Sequence, residues 1–74
     1  MVKVKGLTVE SMENGKRNVV VSLAADTSAE VDACGASGEN VKGLNADDVI
    51  VLGSTALCAD GNFGMINSNG QWNW

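Results

Sequence analysis

The chain of 74 residues has no histidine, no tyrosine and no proline, only three aromatic residues and only two cysteines. Each absence removes a class of function. Without histidine the commonest general base near neutral pH is missing, and a cysteine nucleophile lacks its usual partner. A structural zinc site of the Cys/His kind needs four ligands, of which Cys34 and Cys58 supply two. Neither a Gly-x-Ser-x-Gly nor a Gly-x-x-x-x-Gly-Lys pattern occurs. Lys3, Lys5, Lys16, Arg17 and Lys42 are five scattered bases against nine acids, a formal net charge of −4, so no basic patch for nucleic acid is expected. The apolar run at 49–52 is closed by Gly53 and falls far short of the roughly eighteen residues of a membrane span. A non-enzyme is expected, with no catalytic, cofactor-binding or metal residues, no nucleic acid partner and no membrane partner.

The missing prolines matter differently, because they leave edge strands unblunted and open to pairing with another chain. A domain this small hides only about 60% of the surface of its unfolded form and needs support from disulfides, a metal or a partner. The start, Met-Val-Lys-Val-Lys, has no apolar signal region, so a cytoplasmic origin and reduced thiols acting as small apolar fillers are expected, with one disulfide between Cys34 and Cys58 as the alternative. Oligomerisation or attachment to a larger body is the remaining support.

What is present points to an all-β fold, a small sandwich or partly open barrel of about six short antiparallel strands ending in a three-strand meander, in a single domain over 1–74. Val2, Val4, Leu7 and Val9 alternate with polar residues, with a phase slip at Gly6 of the kind a bulge makes. Asn14-Gly15 joins residues 2–10 to 17–25 as a hairpin. Val19, Val20 and Val21 are apolar on both faces, which suits a strand covered on its second side by a neighbour or a subunit interface. Residues 26–48 are rich in Ala, Ser, Gly and Asp. Thr27 and Glu30 have capping-box spacing, but Gly35 and Gly38 would stop a helix within two turns, so a loop with a short strand at 30–34 is the favoured reading, with a further short strand at 41–44. From residue 48 the strand pattern returns as 49–52, a corner at Gly53, then 55–59, 63–66 and 71–74, with Asp60-Gly61 and Asn69-Gly70 as two-residue turn signals.

Candidates for chemistry are few. Asp47 and Asp48 before a strand suit a solvated turn better than an acid pair. Asp60, Asn62, Asn67 and Asn69 offer oxygens for calcium, but the Asp-Gly turn accounts for them. Trp72 and Trp74 alternate with Asn73 and would project from the same side of a strand. They are either an exposed platform for sugars or a protein, or caps on a core short of large side chains. The second is favoured for at least one ring, and Trp74 is the better candidate for an intermolecular contact.

Val-Lys-Gly-Leu-Thr-Val at 4–9, Asn-Val-Val-Val-Ser-Leu-Ala-Ala-Asp-Thr at 18–27, Gly-Ser-Thr-Ala at 53–56, Asp-Gly-Asn-Phe at 60–63 and Asn-Ser-Asn-Gly-Gln-Trp at 67–72 resemble the small virion structural proteins of tailed bacteriophages and prophages. Cys34 and Cys58 depart from that likeness. The resemblance implies a head-decoration or fibre-base protein located in the virion and bound to other virion proteins such as the major capsid protein. A homo-oligomer such as a trimer is expected, with Val19, Val21, Phe63, Trp72 and Trp74 as interface residues. The alternative is a small carbohydrate-binding module that uses Trp72 and Trp74.

Overall fold

The computed structural model describes all residues, 1–74. It contains β1 (Lys3–Glu13), β2 (Lys16–Ala25), α1 (Ser28–Cys34), β3 (Val49–Ile50), β4 (Thr55–Cys58), β5 (Phe63–Ile66) and β6 (Trp72–Asn73). The strands form one open sheet in the order β1-β2-β4-β5-β6, with β3 beside the start of β2. The all-β class and the closing meander stand as read from the sequence, but two details differ. There is one sheet and no second layer of strands. β2 also pairs in parallel with both β3 and β4, whereas the remaining pairings are antiparallel.

The parallel pairings follow from the middle segment, where the capping box prevails over the loop-and-strand reading. Thr27 is extended and its Oγ1 accepts from the Glu30 amide at 3.4 Å, which starts α1. Gly35 ends the helix, and its amide donates back to Val31 and Asp32. Parallel neighbours need a long crossover, and α1 with the following loop provides it. The crossover lies over one face of the sheet. Its residues 41–44 make a turn in place of the expected strand, held to β1 by Val4 N–H donating to Lys42 O and Lys42 N–H donating to Val2 O.

Beneath the crossover the inward positions of β2, namely Val19, Val21, Leu23 and Ala25, pack with Val2, Val31, Val41, Ile50, Ala56, Cys58, Ile66 and Trp72. Both thiols are free; Cys58 is in this core, and burial, with acidic neighbours adding to it, pushes its pKa upward.

Residues 49–58 run beside β2 as one interrupted strand. Gly53 takes φ +104° at the corner, a conformation that favours glycine, as the sequence suggested. The interruption would leave the Val21 amide unpaired, and the fully buried Ser54 hydroxyl accepts from it at 3.0 Å. The loop before β3 is pinned by Asp48, only 2% exposed, whose carboxylate takes Arg17 Nε at 2.8 Å, Arg17 Nη2 at 2.5 Å and the Asn45 amide at 2.8 Å. Asp48 is thus no solvated turn acid. The Arg17 pair holds its pKa below the usual carboxylate value.

Turn geometry also departs from the sequence signals. Asn14 and Gly15 both have positive φ, as a primed hairpin turn requires, but at the other two dipeptides only Gly61 and Gly70 do. Those connections are longer, and each loop is closed by an Asx contact, from Asp60 to the Asn62 amide and from Asn67 to the Asn69 and Gln71 amides.

Two outcomes check this framework. Ser54→Ala should lower the unfolding free energy by about 1–3 kcal/mol, measured by urea titration, because it leaves the Val21 amide buried and unpaired. The Asp48 pKa is lower folded than unfolded, so its contribution is present above about pH 4 and is lost as pH falls through the folded value. The melting temperature of Asp48→Asn should be lower than wild type at neutral pH and less sensitive to acidification below that point.

Candidate functional site

With α1 and the crossover on one side, the other side of the sheet has no cover. Partner positions on neighbouring strands share a face, so the register settles which side chains lie there. Val20, Ser22 and Ala24 of β2 point outward, followed by Thr55 and Leu57 of β4, which pair with Met65 and Phe63 of β5, and by Asn73 of β6 beside Met65. No charge occurs among them. Phe63, Met65 and Leu57 are 55%, 58% and 61% exposed and adjoin one another across β4 and β5. They form a contiguous apolar patch, bordered on one side by the uncharged polar row of Ser22, Thr55 and Asn73, on an otherwise acidic chain.

The five residues expected at an interface separate into three places. Val19 and Val21 are fully buried beneath the crossover within the same chain, so neither is free to meet a subunit; the cover came from α1 and its loop. Phe63 lies in the outward patch. Trp72 and Trp74 lie on the helix side, as their shared alternation required, with ring centroids 6.1 Å apart and planes inclined at 24°. Trp72 is 8% exposed and caps the core, donating from Nε1 to Gly35 O at 2.9 Å. The bond satisfies a carbonyl at the end of α1. Trp74 is 41% exposed and donates to Asp32 Oδ1 at 2.9 Å. Its ring fits only because residue 64 is glycine, since a Cβ there would stand 2.5 Å from Trp74 Cε3. The last strand is therefore strapped to the helix by two indoles, and one ring, not a two-ring platform, meets solvent.

The sequence reading missed Leu57 and Met65, although the signal existed. Ala56 and Cys58 alternate with Thr55 and Leu57, and Gly64 and Ile66 alternate with Phe63 and Met65, so both strands carry large apolar residues at outward positions. The oxygens considered for calcium do not converge, because the 60–62 and 67–70 turns lie at opposite ends of β5, roughly 13 Å apart for a four-residue strand. Asp60 is engaged instead with the amide and side chain of Asn62.

A second exposed apolar strip lies on β1. Leu7 and Val9 oppose Val21 and Val19, and Met12 opposes Arg17, so all three face the helix side, yet the crossover does not reach them and they are 42–59% exposed. No helix is long and apolar enough to cross a membrane. No family model, curated protein or solved structure matches the chain.

Trp72 and Trp74 should separate on truncation. Loss of Trp74 alone should leave a folded chain, whereas truncation after Gly70, which also removes Trp72, should cost about 3–5 kcal/mol and unfold much of the population, as followed by circular dichroism.

Proposed function

We propose that the chain is a non-enzymatic structural protein that attaches to a larger protein assembly through the outer face of its sheet, with Leu57, Phe63 and Met65 as the anchors. The observation that carries this is the uncovered, uncharged apolar patch on β4 and β5, whose opposite side is covered by the chain's own crossover. Monomeric proteins seldom leave such a surface contiguous, and flat apolar patches with a polar rim suit contact with another protein. The sequence likeness supplies the setting, a virion of the tailed-phage type in which the chain decorates the head or sits at the base of a fibre. The polar rim of Ser22, Thr55 and Asn73 would provide orienting hydrogen bonds without charge.

Attachment is tested in virions produced from the genome that encodes the chain. The wild-type chain should sediment with purified particles. Phe63→Glu and Leu57→Glu should not, while their melting temperatures stay close to wild type because both side chains are exposed in the free chain. Absence of the wild-type chain from particles, or retention of both variants on them, contradicts the assignment.

A further inference from the structure

We propose that β1 is a self-pairing edge: two copies join antiparallel along β1, with Thr8 opposite Thr8 on a two-fold axis. This deepens the structural role proposed above by naming the surface through which copies associate, and it uses residues distinct from the attachment patch.

β1 is the terminal strand of the sheet and is unblunted by proline. Its outer edge is engaged only at its start, where Val2 and Val4 bond to Lys42. From Lys5 onward the edge is free, beside the exposed strip of Leu7, Val9 and Met12 on the helix side.

Charge selects the direction and the occupant. Lys3 and Lys5, with Lys42 and one acid, Asp26, beside them around one shallow depression, make the start of β1 net basic, whereas Glu10 and Glu13, the latter beside Lys16 of β2, bring the acids of β1 to its end. A second copy in parallel would set base on base and acid on acid. An antiparallel copy sets each basic end against an acidic one, so a chain with net charge −4 meets itself here without repulsion.

The faces select the register. Val4, Leu7, Val9 and Met12 point to the helix side, and Lys3, Gly6, Thr8, Ser11 and Glu13 to the other, with register shifts between Val4 and Gly6 and between Val9 and Ser11. With Thr8 on the axis, Leu7 opposes Val9, Val4 opposes Met12 and Lys3 opposes Glu13, so every such pair keeps its face. A shift of one residue sets inward Leu7 opposite outward Thr8. A shift of two sets Val9 opposite Lys5 in one direction, or Leu7 opposite Ser11 in the other. A one-residue slip turns every side chain to the wrong face, which makes the axis at Thr8 strongly preferred. The regular part of the hydrogen-bonded ladder is then Leu7 to Val9 of each copy, flanked by the irregularities at Lys5 and Glu10. Beyond it the partner copy's acidic end comes over the Lys3 and Lys42 corner. Such a contact is isologous and closes at two copies. It also leaves both outer sheet faces on one side, so the dimer presents the attachment patch twice to the same surface.

Cross-linking decides it. Only a residue on the axis meets its own equivalent, with Cβ atoms about 5 Å apart, close enough for a disulfide to form with small adjustment. Thr8→Cys should give a covalent dimer under mild oxidation. Ser11→Cys should not, because its equivalents are six residues apart along the ladder, roughly 20 Å. Adding Leu7→Glu to Thr8→Cys should abolish the dimer, and adding Phe63→Glu should leave it intact. No dimer from Thr8→Cys, equal dimer from Ser11→Cys, or loss of the dimer on adding Phe63→Glu overturns the pairing. Loss of particle attachment with the cross-link intact would count against the attachment patch alone.

Discussion

The structure depends on one constraint of chain length and connectivity. β2 feeds a parallel crossover back to β3 and β4, and that crossover consumes residues 26–48 on a single face of the sheet. Residues 49–74 build β3 to β6 and the turns between them, and none of these elements covers the second face. A domain of this size is short of buried surface in any case. Here the shortage is not spread evenly. The helix side is covered over β2 and β4–β6 by α1, the 35–48 loop and Trp72, while the outer side keeps Leu57, Phe63 and Met65 exposed.

The crossover is itself held by a few polar contacts, each placed where the backbone departs from regular pairing. Ser54 replaces a missing strand partner for Val21, Asp48 ties the loop to Arg17 and Asn45, and the two indole N–H groups tie β6 to the end of α1. All of these contacts except that of Asp48 with Asn45 join segments far apart in sequence, and no buried side-chain polar atom is left without a partner. In the proposed attachment, a helix side fixed by these contacts would present the opposite face as a set surface and so lower the entropy lost on binding.

The sequence was most legible where period and turn chemistry agree. The first hairpin, its bulge near Gly6, the corner at Gly53 and the closing meander all follow from alternation and from Asn-Gly or glycine signals. It was least legible at residues 26–48, where the short helix has little apolar periodicity of its own and buries only Val31. Its one reliable sign was the Thr27 and Glu30 box. Reading that box as a helix between the continuous apolar runs at 19–21 and 49–52 would have implied a parallel crossover, because such runs suit strands covered by a helix. The same omission sent Val19 and Val21 to an interface, since their cover was sought in a second subunit when it lies in the same chain. Phe63 was found because aromatic residues are scarce, whereas Leu57 and Met65 were masked by small inward neighbours.

Two surfaces thus remain for two roles, the outer face of β4 and β5 and the edge of β1, and the three methionines report on them separately. Met65 lies in the outer patch, Met12 on the β1 strip, and Met1 at the depression beside Lys3 and Lys42. The most direct measurement is the rate of peroxide oxidation of each methionine, read by mass spectrometry, for the dilute free chain and for the chain on purified particles. Strong protection of Met65 and Met12 on the particle, relative to the free chain, is the predicted result. Equal rates for Met65 in both states would contradict the account, because the uncovered face would then remain uncovered on the particle.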